Sequence, residues 1–286
     1  MPRVEWPMVK TGGTRLLYPL LALRPSNWKK TRDFEVQETG AQGLLLKVIT
    51  YNIHRAIGVD RRFRPERIVR ILRHYDPDVV LLQEVDEGAP RSRELNLAEE
   101  LAAAAGYPHF ALGHNVSLKK GRYGNATLSR FPILRERNID LSVAESWIRR
   151  GCQHTTLDLN GNGLEVFNLH LGLSARERTK QIELLKRSHE FSSVDPQTPV
   201  LVGGDFNDWR SLLQPLFTNG LDFGCATERK RGPYRCIPTY PSFSPQGGLD
   251  RLYHRGMRLL SVHSCRLQVA RVASDHLPVM AEFQVG

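Results

Sequence analysis

Several stretches of this chain end an apolar run on a polar side chain of the kind that binds metal ions or phosphate. VITYNIH offers Asn52, VVLLQEV offers Glu84, and EVFNLHL offers Asn168 and His170. LVGGDFN gives Asp205 and Asn207, GGLDRLY gives Asp250, and VASDHLPV gives Asp275 and His276. Singly, each has an ordinary explanation: Asn or Asp after a strand forms turns, and a lone Glu or His is a surface or structural group. Jointly they pose an electrostatic problem. Carboxylates gathered at one place are costly unless paired or metal-bound, and a divalent cation with a histidinium would relieve the repulsion. Carboxylate and amide oxygens are hard ligands, suited to Mg²⁺, with Mn²⁺ as a substitute, rather than zinc. A His beside an Asp can serve as general base when a second carboxylate orients its ring. The chemistry implied is metal-assisted attack of water on a phosphate ester.

Such a site requires elements that bring distant residues to one rim. LLLKVITYN (44–52) and PDVVLLQEV (77–85) read as buried strands. PERIVRILRHY (65–75) opens with Pro at a first helical position and places Ile68, Ile71 and Leu72 on one face. ELNLAEELAAAAG (94–106) reads as a helix stopped by Gly106. Strand-like runs follow near 108–113, 124–130, 132–141, 152–159 and 164–170, the last two joined by the hairpin signal NGNG. SARERTKQIELLKRSHEF (174–191) is an amphipathic helix in which Ser174 and Glu177 are spaced as a capping box. Further strands are expected at 199–204, 249–254, 258–267 and 277–284. Hairpins mixed with helical crossovers imply an α/β architecture built on mixed sheets, and the pattern leaves the topology open. Residues 1–43, with four prolines and Gly12-Gly13, read as an irregular N-terminal extension.

The composition, 41% hydrophobic and 24% charged over 286 residues, is that of a globular protein. The formal net charge is +10, and residues 1–43 hold only seven Lys/Arg against four acids, so the body itself is basic. A basic surface concentrates polyanions, whether nucleic acid or anionic lipid. The four cysteines form no CxxC pair, and no His stands at zinc-finger spacing, as expected of reduced thiols in a cytoplasmic protein. The start lacks a signal-peptide pattern. LLYPLLAL (16–23) is too short to cross a bilayer and contains Pro19, so docking on the body or disorder is expected, with contact at a membrane surface as the alternative.

In order along the chain, TYNIH, VVLLQEV, YGNATLSRFPI, FNLHLGLS, GGDFND, GLDRLY and SDHLPV resemble motifs of the endonuclease/exonuclease/phosphatase superfamily. That group includes exonuclease III-type abasic-site endonucleases, deoxyribonuclease I, neutral sphingomyelinases, inositol polyphosphate 5-phosphatases and poly(A) deadenylases. The resemblance spans Leu44 to the C-terminus and implies a catalytic domain over 44–286. It implies a four-layer α/β sandwich, two packed mixed sheets flanked by helices, with the site at one rim. Glu84 would be the principal Mg²⁺ ligand, with Asn52 beside it and Asp275 as a second metal-side carboxylate. His276 would be the general base or the group that holds the scissile phosphate, oriented by Asp250. Asp205 would activate the water or assist the leaving group, and Asn207 would position the water or the phosphate. His170 matches the branch with a histidine there, where it would stabilise the phosphate or protonate the leaving oxygen; abasic-site enzymes usually have tyrosine. Asn125 would be a phosphate-side donor, the plain alternative being a turn at Gly124-Asn125. One departure is His54, where many nucleases carry an acid. Arg178 and Gln181 fall where the family often has an Arg and a Gln, as braces for the site.

Fold and chemistry do not choose the substrate. Nucleic acid is the first expectation, supported by the basic charge and by the loops LSVAESWIRRG (141–151) and TERKRGPYR (227–235). The alternative is a phospholipid or sphingomyelin-type diester at a membrane surface. TYNIHRAIGVDRRF is similar to bacterial members linked to phospholipids, and RRFR (61–64) could face an anionic bilayer. The Asn-Tyr-Arg run that inositol phosphatases carry after GD is missing, and a non-catalytic phosphate-binding protein is the reading from another class. Nothing in the pattern calls for an obligate protein partner.

Overall fold

The computed structural model describes residues 43–144, 146–229 and 235–286; the extension expected at the N-terminus and the 230–234 part of the basic loop lie outside the described residues. In chain order the elements run β1 (Leu44–Asn52), α1 (Pro65–Tyr75), β2 (Val79–Glu87), α2 (Leu97–Ala105), β3 (His109–Ser117), β4 (Arg122–Ser129) and β5 (Ile133–Asp140). Then come β6 (Gly151–Leu159), β7 (Asn162–His170), α3 (Ala175–Arg187), α4 (His189–Ser192), β8 (Val200–Asp205), α5 (Gln214–Thr218) and β9 (Gly224–Cys225). The last are β10 (Asp250–Arg255), β11 (Met257–Ser264), α6 (Ala270–Ala273) and β12 (Val279–Val285).

The strands form two mixed six-stranded sheets, ordered β11-β12-β1-β2-β4-β3 and β5-β6-β7-β8-β10-β9. Each has one parallel pair, β1 with β2 and β7 with β8, and these central strands are apolar on both faces. Leu46, Val48, Leu81, Val166 and Leu201 point between the sheets, where they meet Leu252 and Phe283. Ile49, Tyr51, Val80 and Leu82 point the other way, onto Ile68, Ile71 and Leu72 of α1 and Leu97 and Leu101 of α2. Phe167, Leu169 and Val202 pack outward on Ile182 and Leu185 of α3 and Phe217 of α5. The result is a four-layer α/β/β/α sandwich, with the two-sided burial that continuous apolar strands require.

Helix ends follow local chemistry. Asn96 caps α2 by accepting from the Glu99 amide at 3.3 Å, and Gly106 (φ 85°) ends it. This start is later than the 94–106 span because the cap sits at Asn96. Ser174 caps α3 by accepting from the Glu177 amide at 3.1 Å. The reciprocal half of a capping box is not made, since the Glu177 carboxylate accepts instead from Gln181 Nε2 at 3.2 Å.

Toward the rim that holds the polar strand ends, the apolar filling between the sheets gives way to amides. Gln83 Nε2 donates to Asn168 Oδ1 at 2.8 Å, and Asn168 Nδ2 donates to the carbonyls of Leu82 and Ala126. Thr127 donates to Gln153 at 2.8 Å. Asn125 Nδ2 donates to the carbonyls of Gly151 and Asn168. These bonds cross from one sheet to the other in a buried layer, which fixes the two rims relative to each other.

Candidate active site

Strand register builds the centre of the site. In the parallel β7–β8 pair His170 stands opposite Asp205, and in the antiparallel β8–β10 pair Asp205 stands opposite Asp250. Three side chains from distant segments thus share one row. The two glycines of LVGGDFN make the row possible. A Cβ on Gly203 would come 2.6 Å from Leu252 Cδ2 and 2.7 Å from Leu81 Cδ1. Gly204 has φ 138°, and a Cβ there would lie 1.9 Å from the Leu169 carbonyl oxygen. Only glycine lets β8 run this close to β7 while delivering Asp205 at its end.

Asp205 is the hub. Its Oδ1 accepts from the Asn207 amide at 2.9 Å and its Oδ2 from Asn52 Nδ2 at 3.0 Å. The same Oδ2 lies 3.5 Å from His170 Nε2 and 3.7 Å from His276 Nε2. Asn207 adopts φ 51°, a conformation asparagine tolerates, and its side chain donates to the Leu171 carbonyl at 2.9 Å. His276 Nδ1 is 2.9 Å from Asp250 Oδ2, and Thr239 donates to that same oxygen. Asp250 Oδ1 is buried without a partner among the described residues.

The two imidazoles are driven in opposite directions. Burial lowers the pKa of His276, but the charges of Asp250 and Asp205 outweigh it and push it up to about 10. His276 is therefore an imidazolium clamped by Asp250. Burial and the nearby positive charge of Arg150 lower His170 to about 3 despite Asp205, so its ring is neutral. The native state then excludes a proton that the unfolded chain takes up below about pH 6.5. Stability should fall as pH drops from 6.5 toward 3, with a slope of up to about 1.4 kcal/mol per pH unit from this residue. His170→Gln is expected to flatten that limb in urea unfolding between pH 4 and 6.5. An unchanged slope would mean that His170 is already charged in the native state.

Glu84 reaches the rim by a break in strand parity. Residues 80 and 82 of β2 face the helices, so an unbroken strand would turn residue 84 the same way. Instead the β2–β4 register shifts between Leu82 and Val85, and Glu84 has φ 56°. Val85 takes the buried helix-side place, and the extra residue is turned out of the ladder. Its carboxylate lies 3.5 Å from Arg55 Nε. Arg55 itself belongs to a left-handed turn, with φ 44°, 60° and 57° at His54, Arg55 and Ala56. The Asn52–Gln83 register pair sets Glu84 next to the end of β1. Ser274 ties in the third member: its hydroxyl donates to the Asn52 carbonyl at 2.7 Å and lies 3.2 Å from Asp275 Oδ1.

Two groups of side chains could hold a cation. Ligand atoms of Asp205, Asp250 and His276 lie within 4.8 Å of one another. Those atoms are already joined to each other and to Asn52, Asn207 and Thr239. Glu84 and Asp275 are half-buried hard donors at the end of β1 and are less committed. Mg²⁺ keeps several waters, so two carboxylates need not touch to share it. The donor chemistry fits such an ion at Glu84, Asp275 and Asn52.

Asn125 is buried at the inner end of this rim with its NH₂ used on two carbonyls and its Oδ1 without a partner among the described residues. Arg178 is buried rather than exposed; it donates to the Leu173 carbonyl at 2.6 Å and lies 3.5 Å from Asp208. Gln181 accepts from the Gly172 amide at 2.8 Å, so both residues brace the turn after His170. Four contributors went unmarked in the sequence. Gln83 had a signal, a polar residue in the inward parity of Val79 and Leu81. Thr239, Arg55 and Arg150 had none, since each lies outside a periodic run. Arg150 is buried and forms no ion pair with any described residue.

The sequence profile of the endonuclease/exonuclease/phosphatase family matches residues 49–276. The uncharacterised protein YbhP of Escherichia coli K12 is 33% identical over 256 residues, which is 85% of this chain and 98% of that protein. Among solved structures, an endonuclease/exonuclease/phosphatase from Beutenbergia cavernae superposes with a TM-score of 0.70 at 23% identity, covering 85% of this chain and 72% of its own. D. rerio TDP2 in complex with a single-strand DNA product superposes with a TM-score of 0.67 at 18% identity, covering 84% and 99%.

Proposed function

The chain belongs to the endonuclease/exonuclease/phosphatase family, whose members are hydrolases of phosphoester bonds, and from that premise we propose that it is a Mg²⁺-dependent phosphodiesterase acting on nucleic acid. The observation that carries this reading is the position of the Asp205 carboxylate, fixed by two amides and set between a neutral and a charged imidazole.

Asp205 is a carboxylate held at both oxygens, suited to take the proton of an attacking water. Asn207, rigid in its left-handed conformation, holds the Asp205 end of that pathway in place. His276 points its Nε2 to the same spot as a donor, so its charge meets a non-bridging phosphate oxygen. Asp250 keeps that ring oriented and protonated, which favours the phosphate-holding role of His276 over that of base. His170, neutral, offers a hydrogen bond to the phosphate or to the leaving oxygen without adding charge. Glu84, Asp275 and Asn52 would hold Mg²⁺, which when bound neutralises charge on the phosphate and the leaving oxygen. Arg55 would release Glu84 and remain near the phosphate.

The net charge of +10 supports a polyanionic substrate, and TDP2 with its DNA product supplies a precedent on this fold. Among the described residues no helix is long and apolar enough to cross a membrane. The test is a panel of plasmid, single-stranded DNA, abasic-site duplex, RNA, sphingomyelin and anionic phospholipid, each with Mg²⁺, Mn²⁺ or EDTA. Nucleic acid should be cut with either metal and spared in EDTA. His276→Ala guards against a contaminant: equal hydrolysis by this variant and the wild type contradicts the proposal.

A further inference from the structure

Two aromatic side chains stand exposed on the segments that flank the candidate site. Trp209, two residues beyond Asn207, is 55% exposed, and Phe243 is 63% exposed. Trp209 is held on one side by its neighbours. The Trp209 indole rests on Gly247, where a Cβ would lie 2.3 Å from its Cζ3. It meets Tyr240 edge-on, with centroids 5.5 Å apart at 88°, and Tyr240 packs on the His276 ring at 5.1 Å. Trp209 is therefore one ring removed from the catalytic histidine. Phe243 follows Ser242, whose hydroxyl donates to the carbonyls of Arg271 and Ser274 and whose amide donates to the Asp275 carbonyl at 2.8 Å. The backbone just before Phe243 is thus tied to the segment that carries Asp275 and His276.

Basic side chains stand on the segments that carry these rings. Arg210, beside Trp209, and Arg271, whose carbonyl accepts from the Ser242 hydroxyl, are exposed and form no ion pair with any described residue. Residues 240–247 contain no acid, and Asp208, the acid next to Trp209, is buried against Arg178. Exposed aromatic rings with free arginines on the same segments fit a chain of alternating phosphates and planar bases. In a duplex the base faces are covered and only edges reach the grooves. A ring fixed at the rim can meet a base face only where the strand is unpaired.

We propose that Trp209 and Phe243 form a base-stacking subsite beside the reaction centre, and that the strand crossing that centre is single-stranded. The inference rests on the nucleic-acid reading of the site and adds the form of the substrate.

The test uses the full chain and three labelled oligonucleotides of equal length: a single strand, the same strand annealed to its complement, and a base-free strand of tetrahydrofuran abasic residues. Binding is read by anisotropy in EDTA and turnover in Mg²⁺. The wild type should bind and cut the single strand at least tenfold better than the duplex. Trp209→Ala and Phe243→Ala should each weaken single-strand binding roughly ten- to hundredfold and affect the base-free strand far less, so that the preference for bases collapses. Equal use of duplex and single strand, or an equal loss on strands with and without bases, would overturn the proposal. So would sedimentation with phosphatidylglycerol vesicles that depends on these rings without any single-strand preference. Base-dependent binding in EDTA without turnover in Mg²⁺ would uphold the subsite and remove the hydrolase reading, which keeps the two failures apart.

Discussion

Asp205→Asn is expected to lower the turnover of phosphodiester hydrolysis by roughly 10²- to 10⁴-fold while leaving the fold intact. Asparagine has the same size and can still accept from the Asn207 amide, the bond that shapes the turn. It cannot take a proton from water, and it removes the negative charge between His170 and His276. The loss should fall on kcat rather than KM, because the proposed role of the group is on the attacking water and not on the bound substrate. Single-turnover kinetics with a thermal melt as control would check it. A loss confined to KM would move Asp205 from base to binding residue.

Glu84→Gln should be as damaging, on the order of 10³-fold, for a different reason. The change is isosteric, so the bulge at residues 82–85 persists, but the charge that attracts the cation is gone. Raising Mg²⁺ should restore part of the Glu84→Gln rate and none of the Asp205→Asn rate. That contrast separates a ligand from a base, and a metal titration of the two variants side by side measures it. Equal rescue of both would show that Glu84 does not hold the ion.

The strands, the longer helices and the polar strand ends are legible in the sequence because period-2 and period-3.6 patterns are local. The order of strands in the two sheets is not local, and the sequence leaves it open; the resemblance to a known family implies only two packed mixed sheets flanked by helices. Asp205 and Asp250 could be named as candidates from their places after apolar runs. Their standing in one row with His170 follows from register across three strands, set by the close approach at Gly203 and Gly204. Glu84 was legible as an acid at a strand end, whereas its route to the rim was not. Simple alternation points it at the helices, and only the bulge, which depends on the partner strand β4, turns it out. Asn125 reads in the sequence as a phosphate-side donor or a turn residue. Its NH₂ bonds the carbonyls of Gly151 and Asn168, partners 26 and 43 residues away that no local pattern reveals. The aromatic rim was invisible for the same reason, since Trp209 and Tyr240 meet only after the chain has folded.

The central claim is that Glu84, Asp275 and Asn52 hold the cation while Asp205, Asp250 and His276 form a separate proton-handling group. Anomalous scattering from crystals soaked in Mn²⁺ measures this directly. The account predicts a peak at about 2.1 Å from carboxylate oxygens of Glu84 and Asp275, with Arg55 displaced from Glu84. A peak enclosed by Asp205, Asp250 and His276, with Glu84 still resting on Arg55, would contradict it.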